Sequence, residues 1–191
     1  MNLPNKLTVL RIIMIPIFVA VFYLTIIPYN FIISAVIFAL AAFTDYLDGY
    51  IARKCNIVTD FGKFLDPIAD KVLVSTALII ALVPPAGVTL LWGYSSIAVA
   101  VILARELIIS GFRMIASGKG MVISADKSGK IKTFFTDVAI LVMLVAGNIT
   151  PASFDLLNII ATVLIFISAG LTIYSGIECF VKNRAVLGEN K

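Results

Sequence analysis

The 191-residue sequence contains no histidine and only two cysteines, Cys55 and Cys179, which lie far apart along the chain. Any metal site must therefore use oxygen ligands, which favours Mg²⁺, Mn²⁺ or Ca²⁺ over zinc. The cysteines do not form a metal-binding or redox motif. We interpret both as small, half-buried residues on a reducing face of the protein.

Charged residues are also scarce: they make up 14% of the chain, whereas apolar residues make up 61% and the mean hydropathy is +1.08. Soluble domains have about 25% charged and about 45–50% apolar residues. A chain of this length cannot bury so much apolar surface in a soluble fold. Composition thus excludes a soluble domain and a disordered chain, and it predicts an integral membrane protein in which residues 1–191 form a single domain.

Six apolar segments are each long enough to cross a bilayer as a helix. They cover residues 7–27, 31–52, 64–83, 88–114, 131–149 and 154–180. No small-residue cleavage site follows the first apolar run, so we predict that this segment is a permanent span. The predicted fold is all-α, with six transmembrane helices.

The Lys and Arg residues lie at the two ends of the chain and around the second and fourth breaks between segments, and the other three breaks contain none. Short loops rich in Lys and Arg stay on the cytoplasmic side. We therefore predict that both termini and both charged loops face the cytoplasm. Several acidic residues lie inside the cytoplasmic ends of the segments, where an ionisable group indicates a functional site.

Two pairs of aspartates lie near the cytoplasmic ends of the second and third segments. Asp45 and Asp48 are three residues apart, and Asp66 and Asp70 are four apart, so each pair lies on one helical face. Because the connecting loop is short, the two helices are predicted to be antiparallel neighbours whose carboxylates converge. Either protonation or two bound divalent cations would relieve the repulsion among them, and oxygen ligands suit Mg²⁺ or Mn²⁺.

Small residues accompany the aspartates on these faces. They are Gly49, Ala52 and Gly62. They leave room for a ligand close to the helix backbones, or they allow the helices to pack closely, and the two interpretations are compatible. One aspartate alone is explained equally well as a surface carboxylate paired with a nearby Lys or Arg, but four across one hairpin favour a ligand site.

The same segment matches the pattern D-x2-D-G-x2-A-R-x8-G-x3-D-x3-D at every fixed position. These positions are Asp45, Asp48, Gly49, Ala52, Arg53, Gly62, Asp66 and Asp70. The pattern is the signature of the CDP-alcohol phosphatidyltransferases, which the chain therefore resembles. The resemblance implies a six-span membrane enzyme, commonly a homodimer, that uses Mg²⁺ or Mn²⁺.

The resemblance also implies roles for individual residues. The four aspartates would hold two divalent cations, and Asp70 would act as the general base. The residues implied in binding CDP-diacylglycerol are Asn5, Thr8, Arg11, Gly49, Ala52, Arg53, Thr59 and Gly62. From the residues alone, Asn5 is equally well explained as a helix cap beside Pro4.

Further segments resemble the bacterial members of the family that form phosphatidylglycerol phosphate. They are residues 2–11, 104–106 with Arg113, and 129–133. This resemblance implies a bacterial cytoplasmic membrane enzyme with glycerol 3-phosphate as the acceptor. A phosphate-bearing acceptor needs countercharges, and the candidates are Arg105, Arg113, Lys130 and Lys132. Alternatively, these cations only orient the chain and contact anionic headgroups.

Other functions remain open from the sequence. In one alternative, the enzyme catalyses the same reaction with a different acceptor, which is inositol phosphate, serine or another alcohol. A divalent-cation transporter is a more distant alternative, because it requires polar groups through the whole membrane depth, and the outer halves of the segments contain almost none. A non-catalytic lipid-binding protein needs no acidic site at all.

Overall fold

The computed structural model describes residues 3–54, 60–83, 92–119, 121, 127–149 and 156–187. These residues form six α-helices and one short 3₁₀ helix, with no strand among them. The helices are α1 (Leu3–Tyr23), α2 (Asn30–Lys54), α3 (Asp60–Ala81), α4 (Trp92–Gly118), α5 (Lys127–Ile149) and α6 (Leu156–Lys182), followed by the 3₁₀ helix Arg184–Leu187. Each helix corresponds to one predicted apolar segment, which confirms the all-α prediction.

Four of the helices in the described residues are long and apolar enough to cross a membrane. Their apolar stretches are Asn5–Tyr23, Asn30–Gly49, Tyr94–Gly118 and Leu156–Lys182. Helices α3 and α5 have 22 and 23 residues, which is also sufficient by length. Helices α3 and α5 differ from the other four in composition, because their amino-terminal halves contain several charged residues.

Helices α1 and α2 form an antiparallel pair with an aromatic contact near the connecting turn. The rings of Phe22 and Phe31 lie 5.0 Å apart, and Asn30 Nδ2 donates a hydrogen bond of 2.7 Å to the Phe22 carbonyl oxygen. Further along the pair, Phe18 and Phe38 are fully buried. This pairing brings the amino-terminal turns of α1 beside the carboxy-terminal turns of α2, where the predicted aspartates lie.

Helix α6 packs against both α4 and α5. Its buried face is partly polar: Asn158, Thr162, Ser168, Thr172 and Ser175. The hydroxyl groups of Ser168 and Thr136 of α5 form a buried hydrogen bond of 2.5 Å. Such bonds join helices where no water is present to compete.

Helix α3 is central, because it contacts α1, α2, α4 and α5. Leu73, Ala77 and Leu78 of α3 belong to the main buried core. The outer faces of the helices expose large apolar side chains, such as Phe43 and Leu107, which suits a lipid environment. Because α3 contacts α1 and α2 as well as α4 and α5, its aspartates can contact both pairs of helices.

Candidate active site

The signature aspartates Asp45, Asp48, Asp66 and Asp70 are called the acidic cluster below. Their charges are close enough to interact: Asp45 interacts with Asp66, Asp48 interacts with both, and Asp70 interacts with Asp45. The α2–α3 hairpin therefore brings the two pairs near each other. In the part of the chain that the structure describes, no three acidic, histidine or cysteine side chains lie together as a ready-made metal-binding group, so the metal role stays a prediction.

Arg11 of α1 contacts two carboxylates of this cluster. Its side chain is fully buried, with Nη2 donating a 2.5 Å hydrogen bond to Asp48 Oδ2 and Nε donating one of 3.3 Å to the Ala41 carbonyl oxygen. Nη1 lies 2.7 Å from Asp45 Oδ1, but it has no well-aligned hydrogen-bond acceptor among the described residues. One guanidinium therefore neutralises part of the charge of two carboxylates.

Thr8, one turn before Arg11, contacts the other helix of the hairpin. Its Oγ1 donates a hydrogen bond of 2.5 Å to Asp66 Oδ1. Asn5, Thr8 and Arg11 are all buried, as expected for residues spaced by three on one helical face. The first three turns of α1 thus contribute directly to the surroundings of the acidic cluster.

The other predicted donor-binding residues are described to different extents. Gly62 is buried in the first turn of α3, and Gly49 is half-buried in α2. Ala52 and Arg53 lie within α2, but their side chains fall outside the described part of the structure, and Thr59 lies outside the described residues altogether. Their contacts with CDP-diacylglycerol stay predictions.

A pocket lies between α3, α4 and α5, with a volume of about 380 Å³ that includes the space at its mouth. We call it the α3–α4–α5 pocket. Its charged lining residues are Asp70, Lys71, Glu106 and Lys132, and its other lining residues are Val74, Ser75, Leu78, Ile102, Leu103, Thr133 and Thr136. Asp70 therefore belongs both to the acidic cluster and to the wall of this pocket.

Glu106 connects the cations around the pocket. Its Oε1 accepts a hydrogen bond from the buried Lys132 Nζ and another, of 2.9 Å, from Arg105 Nη1. On the α3 side of the pocket, Lys71 Nζ donates to Ser110 Oγ, and that hydroxyl donates to the Glu106 carbonyl oxygen at 2.5 Å. Three helices are thus joined by charged and hydroxyl groups at this end of the pocket.

The four predicted acceptor-binding cations lie in different surroundings. Lys132 lines the pocket, whereas Arg113 and Lys130 are exposed. Arg105 contacts Glu106 and, through a 2.7 Å bond from Nη2, Ser175 Oγ of α6. Glu106 thus pairs with Arg105 of its own helix and with Lys132 of α5.

Two charged residues near the site were missed in the sequence. Lys71 follows Asp70 directly and lines the pocket. Asp137 of α5 interacts electrostatically with Asp70, Lys132 and Asp45, and its Oδ1 is buried without a hydrogen-bond partner in the described residues. The sequence did contain a signal for Asp137, because it is a carboxylate within an apolar segment, five residues after Lys132.

Comparison with known proteins places the sequence among characterised relatives. Residues 1–174 match the family model for CDP-alcohol phosphatidyltransferase. The chain is 38% identical to the CDP-diacylglycerol–glycerol-3-phosphate 3-phosphatidyltransferase of Bacillus subtilis (strain 168), with 95% of each chain covered. It is 37% identical to the proteins of the same name from Rickettsia bellii (94% of this chain and 93% of the relative covered) and Shigella flexneri serotype 5b (97% of each covered).

Proposed function

Because the chain belongs to the CDP-alcohol phosphatidyltransferase family, we propose that it transfers the phosphatidyl group of CDP-diacylglycerol to glycerol 3-phosphate. The products are phosphatidylglycerol phosphate and CMP. The reaction is a step of phospholipid synthesis, and it requires two binding regions that meet at one reacting phosphorus. The names of the similar proteins specify the same donor and acceptor.

The position of Asp70 is the observation that carries this proposal. Its carboxylate is within electrostatic range of Asp45 and Arg11 on one side, and it lines the α3–α4–α5 pocket on the other. A general base in this reaction must reach the acceptor hydroxyl while that hydroxyl faces the donor phosphorus. Asp70 is the residue of the acidic cluster that borders both regions.

The donor region comprises the acidic cluster with the first turns of α1. Arg11 is fully buried and contacts both Asp45 and Asp48, so it holds these two carboxylates in place at the donor region. Thr8 orients Asp66 through its hydroxyl. The acyl chains of the donor would remain in lipid, beside the apolar outer faces of the helices.

The side chains of the acidic cluster are chemically suited to bind divalent cations. The cluster contains only carboxylate ligands, which Mg²⁺ and Mn²⁺ prefer, and its carboxylates outnumber the single guanidinium that pairs with them in the described residues. Asp45, Asp48 and Asp66 would hold one ion, and a subset of the four aspartates a second. When bound, such ions stabilise negative charge on the donor diphosphate and the leaving group.

The acceptor region is the α3–α4–α5 pocket. Lys132 and Lys71 supply positive charge for the phosphate of glycerol 3-phosphate, and Ser75 and Thr133 supply hydroxyl groups on the same walls. The acceptor hydroxyl attacks the phosphorus that carries diacylglycerol, and the bond from this phosphorus to CMP breaks. Asp70 takes the hydroxyl proton, so a phosphodiester forms and CMP leaves with its electron pair.

The proposal includes an orientation in the membrane. All six helices span the bacterial cytoplasmic membrane as one domain, with both termini and the acidic cluster at the cytoplasmic face, where CDP-diacylglycerol headgroups and glycerol 3-phosphate meet. The distribution of Lys and Arg supports this orientation. We also propose a homodimer, on the basis of family resemblance alone.

The test is CMP release by the purified protein in detergent, supplied with CDP-diacylglycerol, glycerol 3-phosphate and Mn²⁺ or Mg²⁺. We expect release that depends on the acceptor and stops with EDTA. Competition between glycerol 3-phosphate, inositol phosphate and serine identifies the acceptor. Release that persists in EDTA, or that prefers another alcohol, would contradict the metal or the acceptor assignment, respectively.

A further inference from the structure

Helix α6 contributes no residue to the described lining of the α3–α4–α5 pocket, yet it contacts Arg105, which pairs with the lining residue Glu106. Arg105 of α4 reaches α6, where its Nη2 donates a 2.7 Å hydrogen bond to Ser175 Oγ. The next residue, Gly176, lies against the same arginine. A Cβ atom at position 176 would be 3.3 Å from both Arg105 Cγ and Arg105 Nε.

The other terminal nitrogen of the Arg105 guanidinium, Nη1, contacts the carboxylate that holds Lys132. Arg105 Nη1 and Lys132 Nζ both donate to the same oxygen, Glu106 Oε1. All three side chains are largely shielded from solvent, with exposed fractions of 16%, 7% and 22% for Arg105, Lys132 and Glu106. Because two cations share one carboxylate, the group retains positive charge for an anion in the pocket.

We propose that Glu106 and Arg105 are positioning residues for Lys132, and that Ser175 and Gly176 of α6 thereby set the affinity for the phosphate-bearing acceptor. This inference rests on the proposed function, in which Lys132 binds the acceptor phosphate. Ser175 fixes one nitrogen of the Arg105 guanidinium, and Gly176 leaves the space that the Arg105 stem occupies. The position of Glu106, and with it the Lys132 ammonium, follows from that contact.

The first experiment compares two glycine substitutions in α6. Gly176→Ala places a methyl group against Arg105, so the arginine must shift by a few tenths of an ångström. We expect KM for glycerol 3-phosphate to rise about threefold, the effect of a weakened charge-assisted hydrogen bond, with KM for CDP-diacylglycerol unchanged. Gly170→Ala is the matched control, because a Cβ there meets nothing within 4 Å.

Ser175→Ala is a second, milder variant that removes only the hydroxyl acceptor of Arg105. We expect the same selective rise in acceptor KM. Glu106→Gln removes the charge that holds Lys132, and we expect a rise of about tenfold in acceptor KM. A purely structural role would instead lower the unfolding temperature and change kcat and both KM values together.

The second experiment tests whether these residues act through Lys132. In a Lys132→Met background, Glu106→Gln and Gly176→Ala should add no further rise in acceptor KM, because residues acting through one group are not additive. Additive effects, or equal effects on both substrates, would overturn the inference. If Lys132→Met itself leaves acceptor KM unchanged, the acceptor assignment of the pocket fails as well, whereas a rise with Lys132→Met and none with Gly176→Ala or Ser175→Ala overturns this inference alone.

Discussion

The acidic cluster and the α3–α4–α5 pocket share Asp70 but differ in the ion pairs that lie beside it. In the cluster, one guanidinium from Arg11 contacts two carboxylates, so negative charge is in excess among the described side chains. Beside the pocket, the carboxylate of Glu106 contacts two cations, Arg105 and Lys132, so this group of three side chains carries a net positive charge. The first arrangement suits divalent cations and the second suits a phosphate. Helix α3 contributes residues to both regions.

The substitution with the largest expected effect is at the shared residue. Asp70→Asn keeps the shape of the side chain but removes the base, so we expect kcat to fall about 10²–10⁴-fold, with smaller changes in either KM. CMP release measured over both substrate concentrations checks this. Glu178→Gln is the matched control, because Glu178 pairs with Lys182 and Ser128, near the end of α6. Wild-type turnover in Asp70→Asn would remove Asp70 from its role as base.

A second prediction concerns Arg11, which contacts two carboxylates of the acidic cluster. Arg11→Met leaves Asp45 and Asp48 without their buried countercharge, so we expect the free energy of unfolding to fall by about 3 kcal/mol. Mn²⁺ should then stabilise the variant more than the wild-type protein, because the unpaired carboxylates bind the ion more strongly. Thermal unfolding in detergent with and without Mn²⁺ measures both effects.

Lys6→Met is the control for this prediction, since Lys6 is exposed on the same helix. We expect it to change neither the unfolding temperature nor the response to Mn²⁺. An Arg11→Met protein that is as stable as the wild type, with no greater response to Mn²⁺, would show that the cluster does not depend on this charge.

A third prediction separates two neighbouring lysines of α5. Lys132 is buried in the wall of the pocket, whereas Lys130 is exposed. We expect Lys132→Met to raise KM for glycerol 3-phosphate about tenfold or more, since a charge-assisted hydrogen bond is lost. Lys130→Met should change it less than about twofold, as is typical of exposed charges. Equal effects of the two substitutions would mean that the phosphate binds outside the pocket.

The smallest predicted effect is at the contact between α1 and α3. Thr8→Val removes the hydroxyl that donates to Asp66, and the loss of one such bond amounts to about 1 kcal/mol. We expect the Mn²⁺ concentration for half-maximal activity to rise about fivefold. Thr25→Val serves as control, because Thr25 is exposed in the turn after α1. No change in the Mn²⁺ requirement would mean that Thr8 does not orient Asp66.

The sequence was sufficient to predict the six helices, because apolar segments of about 20 residues leave few alternatives. Their ends were predicted less well. Helix α3 begins at Asp60, four residues before the predicted segment, because the helix continues through charged residues that an apolar run does not include. Helix α4 likewise extends to Gly118, past the predicted end at residue 114.

The site was predictable where the signal was local and less so where it depended on packing. Asn5, Thr8 and Arg11 are spaced by three along the sequence, and all three are buried in α1, as residues on one helical face are. The partner of Glu106 was not predictable, because spacing along α4 indicates only neighbours on that helix, whereas Lys132 approaches from α5. The pairing of Arg11 with Asp48 also depends on how α1 packs along α2, which no pattern in the sequence specifies.

We propose that the acidic cluster binds divalent cations and the pocket binds the acceptor, as separate regions joined at Asp70. The most direct test measures half-saturating concentrations of Mn²⁺ and of glycerol 3-phosphate for CMP release by Asp66→Asn and Lys132→Met. We predict that Asp66→Asn raises only the Mn²⁺ value and that Lys132→Met raises only the glycerol 3-phosphate value. If each variant raises both values equally, the two regions are not separate and the account is contradicted.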